Sequence, residues 1–208
     1  MGVKVKICGI CGAEDARAAE AAGADFVGLI FEPSSPRAVS VAEAAKIAGA
    51  LRGGAKAVGV FVNQAPEFIA AAAAECGLFA LQLHGGISSE FACTPDFSVR
   101  EIWRAVWLKS PLDAEAAAGL PCDAAVADSR SKSSPGGTGK LSDWGLAALL
   151  ARKKRLVLAG GISPENVSAA VRSVRPWAVD ANSGVEETPR KKDLKKMEAL
   201  IEKAKNPK

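Results

Sequence analysis

The sequence predicts an α/β fold: a single-domain (β/α)8 TIM barrel extending over residues 1–208. Three observations predict it. Short β-branched and apolar runs alternate with alanine-rich helical stretches from one end of the chain to the other, each closed by Gly, Pro, Asn or Asp. The runs are apolar throughout, not at every second position, as in parallel strands covered on both faces. There are eight of them, and eight such units in about 200 residues fit the lower end of the barrel's size range, whereas doubly wound sheets more often stop at about five or six strands.

In order, the first strand is expected over residues 3–7, where Val and Ile precede Cys8, and the alanine-rich stretch 14–22 follows as a helix. The apolar run 26–31 is the second strand and 41–51 its helix; 57–62 and 66–75 form the third unit. The strand 79–83 is followed by a short helical stretch near 88–92, and the strand 101–108 by a second short one over 112–118. Residues 124–127 and 144–151 make the sixth unit, 155–159 and 164–174 the seventh, and 177–179 with 192–203 the eighth. Neither a Pro/Ser linker nor a change in composition divides the series, so it reads as one domain.

Composition excludes several classes. Hydrophobic residues make up 49% and charged residues 24%, an ordinary globular balance. No apolar run reaches the ~18 residues of a membrane span, and the N-terminus lacks a signal peptide's apolar stretch, so the expectation is a soluble cytoplasmic protein with no membrane partner. The net charge of +4 comes largely from the C-terminal run through Arg190, Lys191, Lys192, Lys195 and Lys196. That run reads as a solvated basic helix; with no aromatics interleaved to stack on bases, nucleic acid is not an expected partner. Five cysteines, an odd count in a chain too long to need disulfides, read as reduced thiols.

In a barrel of this kind chemistry is built where the strands end. The first strand ends at Cys8, the second leads to Arg37, the fourth passes Gln82 and ends at His84, and the sixth ends at Asp128. The seventh ends at Gly160 and Gly161, and the eighth runs into Asp180, Asn182, Ser183 and Gly184. The segment Gly136-Gly137-Thr138-Gly139 and the pair Gly160-Gly161, before a helix expected from Pro164, suit anion binding because glycine lets backbone N–H groups approach an oxyanion. Turns alone would also explain the four-residue segment; the further glycine-bearing rims at Gly161 and Ser183-Gly184 favour phosphate. Cys8 and Cys11 form a C-x-x-C, but a structural zinc needs four ligands, and the chain has one histidine and no second such pair. Alone, Cys8 reads as a packing residue; its place across the rim from Asp128 makes it a candidate for chemistry.

Taken together, the motifs resemble the phosphoribosylanthranilate isomerase family. Those that carry the resemblance are Lys6-Ile7-Cys8-Gly9-Ile10, Ser35-Pro36-Arg37, Val58 to Asn63, Leu81-Gln82-Leu83-His84-Gly85, Asp128 with the GGTG segment, Gly160-Gly161 with Pro164 to Val167, and Asp180 with Ser183 to Glu186. Departures fall at Cys11, near Ser142 and at Ala181-Asn182. The resemblance implies an Amadori rearrangement of a phosphoribosyl aminoaldose to an aminoketose in tryptophan biosynthesis, without cofactor or metal. Cys8 would be the general base and Asp128 the general acid. Arg37 would hold the anthranilate carboxylate, its fork suited to two-pronged recognition. Gln82, His84 and Asp180 would line the substrate, while Gly137, Thr138, Gly139, Gly160, Gly161, Ser183 and Gly184 would hold the phosphate. The implied partner is a small phosphosugar, and the assembly a monomer or homodimer. Two alternatives stay open: the related histidine-pathway isomerase, which resembles a barrel with aspartates at both catalytic ends, and a non-catalytic phosphosugar-binding barrel.

Overall fold

Eight parallel strands pair in sequence order and close, β8 on β1, into a barrel. They are β1 (Lys4–Cys8), β2 (Phe26–Ile30), β3 (Lys56–Val62), β4 (Ala80–His84), β5 (Glu101–Val106), β6 (Ala124–Asp128), β7 (Leu156–Ala159) and β8 (Ala178–Ala181). This computed structural model describes residues 2–85, 101–128 and 142–208, except for the side chains of Asp128, Ser142 and Asp143. Every expected strand is present with its ends shifted by no more than two residues. Around the strands lie α1 (Ala13–Ala21), α2 (Val41–Ala48), α3 (Pro66–Cys76), α4 (Pro111–Ala118), α5 (Ser142–Ala151), α6 (Val167–Val174) and α7 (Leu194–Lys205). The helix expected near 88–92 lies outside the described residues. No helix among the described residues is long and apolar enough to cross a membrane.

Two helices start later than the sequence expectation, each for a local reason. Residue 164 does not open α6: the Asn166 side chain accepts from the Ser163 N–H at 3.0 Å and donates to the Gly161 carbonyl at 2.8 Å, holding a turn until Val167. This side chain makes the local bonds that delay a helix. The C-terminal helix starts at Leu194 because Asp193 caps it, accepting from the Lys196 N–H at 3.1 Å. Before it, Ser183–Val185 forms one 3-10 turn, and β9 (Glu186–Thr188) pairs antiparallel with β10 (Lys191–Lys192). This small hairpin was not expected.

Inside the barrel, residues two apart on each strand point inward. The layer nearest the strand starts is an aromatic plug. Phe26 and Trp103 meet edge-on with centroids 5.1 Å apart, and Trp177 meets Trp103 the same way at 5.6 Å. Arg155 stacks over Trp177, 3.9 Å from its centroid, and pairs with Glu101, which also accepts the Trp103 indole N–H at 2.7 Å. Trp103 is fully buried. The closed end is thereby packed, with Arg155 Nε its one buried side-chain polar atom lacking a partner among the described residues, and the other end is left free for chemistry. Trp103→Ala removes the centre of this plug; by the usual range for such truncations it should lower unfolding free energy by about 3–5 kcal/mol, read from urea denaturation, while the native fraction keeps its full alkylation rate at Cys8, which lies at the other end.

Candidate active site

At the carboxyl ends of the strands lies a cavity of about 450 Å³. Its floor is built by alternation: Lys6 and Cys8 share the inner face of β1, Gly28 and Ile30 that of β2, Gln82 and His84 that of β4. Register places the Lys6 Cα opposite both Phe26 and Asp180, so first and last strands meet at this level. Lys6 is fully buried and donates to Asp180 Oδ2 at 2.9 Å. Cys8 lines the cavity directly above. A Cβ on Gly28 would lie 2.7 Å from Cys8 Sγ and 3.0 Å from Lys6 Nζ, so only glycine leaves room for thiol and ammonium side by side.

Electrostatics follow from this packing. Burial pushes the Cys8 thiol above its ordinary value, Lys6 pulls it down, and Asp180 pushes it up again. Burial opposes the Lys6 charge, yet the Asp180 carboxylate and Cys8 outweigh it and hold the ammonium. Desolvation is the largest of these effects on the thiol, ahead of the pull of the Lys6 ammonium. Two more polar atoms, Asp180 Oδ1 and Gln82 Oε1, are buried without a hydrogen-bond partner among the described residues. Both side chains line the cavity, and the Gln82 amide meets His84 Nε2 at 2.8 Å. They are donor-seeking oxygens placed where a polyhydroxy ligand would lie.

Arg37 does not line the cavity directly. Its Nε and Nη2 donate to the two oxygens of Glu186 at 2.7 and 2.5 Å. Glu186 also accepts from Lys192 Nζ at 2.9 Å, and Lys192 reaches the Asn182 carbonyl and Oδ1 at 3.2 and 3.0 Å. One two-pronged edge of the Arg37 guanidinium is thus held by Glu186, leaving the Nη1 end. One expectation is corrected: the basic C-terminal run is not merely solvated, since Lys192 is buried and Arg190 bonds the carbonyls of Pro36 and Ala38. Cys8 and Cys11 are both free thiols; that of Cys11 faces the carbonyls of Gly9 and Arg37, each at 3.5 Å.

Gly160, Gly161, Ser183 and Gly184 all line the same cavity. Gly160 and Gly161 have φ of 86° and 74°, which glycine adopts without strain. Gly184 has a different reason for being glycine: a Cβ there would sit 2.2 Å from the Ile162 carbonyl, so the loops after β7 and β8 interlock. Asp128 ends β6 with its backbone paired to Ala159, two residues beyond the cavity-lining Val126. Gly137, Thr138 and Gly139 lie outside the described residues. Sequence reasoning missed Lys6, Glu186 and Lys192. For Lys6 a signal existed, a lysine two residues before Cys8 on one strand face; for the other two, pairing across the fold leaves none.

The chain matches the family model for N-(5'phosphoribosyl)anthranilate (PRA) isomerase over residues 5–203. It is 44% identical over 201 residues to the N-(5'-phosphoribosyl)anthranilate isomerase of Magnetococcus marinus, covering 97% of this chain and 94% of that one. Among solved structures, phosphoribosyl anthranilate isomerase from Thermotoga maritima aligns with a TM-score of 0.88 at 39% identity, covering 98% of this chain and 99% of its own. A phosphoribosyl anthranilate isomerase in complex with reduced 1-(o-carboxyphenylamino)-1-deoxyribulose 5-phosphate aligns at 0.85 and 37% identity, with the same coverage.

The Glu186 cluster makes a prediction of its own. Burial would raise the Glu186 carboxyl, but bonds from Arg37 and Lys192 outweigh it and hold it below its ordinary value. A carboxylate depressed by folding contributes stability that is present above its unfolded pKa and is lost as pH falls through the folded one. Urea denaturation between pH 6 and pH 3 should show wild type losing stability over that window and Glu186→Gln, already weaker at pH 6, losing less.

Proposed function

The chain belongs to the N-(5'phosphoribosyl)anthranilate isomerase family and is an isomerase of tryptophan biosynthesis, and we propose that Cys8 and Asp128 are the base and acid of its Amadori rearrangement. The substrate is an aminoaldose, N-(5'-phosphoribosyl)anthranilate, and the product an aminoketose, 1-(o-carboxyphenylamino)-1-deoxyribulose 5-phosphate. The rearrangement needs two proton transfers. An acid protonates the furanose ring oxygen, so that the ring opens to a Schiff base; a base then removes the proton from the adjacent carbon, giving an enolamine that tautomerises to the ketone. Asp128 is assigned the first role and the thiolate of Cys8 the second. The observation that carries the reading is the single thiol on the cavity floor, packed against a buried ammonium.

The remaining assignments follow the shape of the ligand. Backbone N–H groups of Gly161 and Gly184, with Gly160, Ser183 and the segment Gly137-Thr138-Gly139, hold the phosphate. Asp180 Oδ1 and Gln82 Oε1 accept from sugar hydroxyls, and His84 flanks them. Arg37 offers the anthranilate carboxylate its Nη1 end, since Glu186 holds the other edge.

The test is loss of phosphoribosylanthranilate fluorescence, with substrate generated in situ. Cys8→Ser and Asp128→Asn should each lower kcat by about 10²- to 10⁴-fold with ligand affinity largely kept; near wild-type kcat in either would remove that residue from the mechanism. Cys11→Ser and Cys122→Ser should turn over normally. Arg37→Ala should chiefly raise KM, with Lys restoring part of the loss; unchanged KM would place the carboxylate elsewhere.

A further inference from the structure

One charged group on the cavity floor has no part in the two proton transfers. Lys6 is fully buried, an expensive place for an ammonium, and its one pairing with a carboxylate among the described residues is the 2.9 Å bond to Asp180 Oδ2. An ammonium has three donors. Cys8 Sγ and Lys6 Nζ border the same small space above Gly28, so the ammonium and the sulfur lie side by side. Asp180 on β8 stands on the other side of the ammonium.

We propose that Lys6 is the positioning residue for the Cys8 base, its ammonium serving as the buried counter-ion of the thiolate and shared with Asp180. This rests on the assignment of Cys8 as base. Among the described residues, the titratable and charged groups facing Cys8 are Lys6 on its own strand, Asp180 on β8, Lys192 on β10, Arg37 after β2 and, across the cavity, His84. Lys192 has its three donors on Glu186 and Asn182, and Arg37 is held by Glu186 through Nε and Nη2, leaving the Nη1 end that is assigned to the substrate carboxylate. Lys6 is the cation whose bonds leave room for sulfur. When Cys8 ionises, its proton passes to solvent through the cavity and the negative charge left on sulfur meets Lys6. When the thiolate takes the substrate's C–H proton it becomes neutral again, and Lys6 reverts to Asp180. The ammonium thus keeps a partner in both states, which limits the desolvation cost of moving between them.

The arrangement makes opposite predictions for its two ends. Site-resolved alkylation of the intact, substrate-free protein by iodoacetamide from pH 6 to 10, followed by mass spectrometry, reports the thiolate fraction of Cys8, with Cys11 and Cys122 as internal references. Lys6→Met should move the Cys8 midpoint up by a pH unit or more, slowing alkylation about tenfold below it. Asp180→Asn should move it down, because the competing carboxylate is gone and the ammonium turns to sulfur. Lys6→Arg, which keeps the charge, should stay near wild type. An unchanged Cys8 profile in Lys6→Met, or shifts of the same sign in both Lys6→Met and Asp180→Asn, would overturn the proposal, the second outcome being the mark of simple packing damage. Should Lys6→Met fail to fold by circular dichroism, Asp180→Asn decides alone: a midpoint that does not fall overturns it. The readout uses no substrate, so it stands apart from turnover of Cys8→Ser, which tests whether Cys8 is the base at all.

Discussion

The structure turns on one buried ion pair at the seam where the barrel closes. Lys6 and Asp180 are register partners on the first and last strands, 174 residues apart in sequence, and their side chains meet at 2.9 Å inside the ring. Burying both charges costs free energy that pairing only partly offsets, and removing one partner of such a pair commonly costs ~3–5 kcal/mol. A leucine-filled layer would be the cheaper way to close a barrel. Placing charge there makes sense only with the layer above, where Cys8 sits against the ammonium and Asp180 turns its second oxygen to the cavity. The closure of the fold and the floor of the site are one set of contacts.

From that layer the interior divides in two. Toward the strand starts, Phe26 and Trp177 pack edge-on against Trp103 and Arg155 pairs with Glu101, so the interior there is filled. Toward the strand ends, Ile30 and Val60 still give Cys8 apolar neighbours, but Gln82 and Asp180 carry buried oxygens lacking partners among the described residues. Buried oxygens without partners weaken a protein. The plug stabilises a barrel whose other end is kept polar for function.

Much of this could be read from the sequence, because strand and helix periods are local. Eight apolar runs gave the strand order almost residue by residue, and Cys8, Gln82, His84 and Gly161 stand on the cavity wall because strand ends lie at one rim. What could not be read depends on contacts between distant segments. Lys192, within an apparently solvated basic run, is buried because the β9–β10 hairpin carries it under the rim to Glu186. Asn166 delays α6 by bonding its own turn, a choice between two local bonding patterns that propensity does not decide. Gly28 looked like any glycine in a strand, and its reason appears only once Cys8 and Lys6 are both in place.

Arg37 shows how such long-range contacts change the reading of a single side chain. As a lone arginine after strand two it suggests a fork open to a planar carboxylate. In the fold, Glu186 already occupies Nε and Nη2, and Lys192 holds Glu186 in turn, so the guanidinium is fixed in orientation before any ligand arrives. With pre-organisation of this kind the ordering cost of the side chain has been met during folding. It also ties the rim after β2 to the hairpin after β8, on either side of β1. The Cys8 thiol on β1 therefore sits between Arg37's loop and Lys192's hairpin, and the same carboxylate that orients Arg37 also holds Lys192.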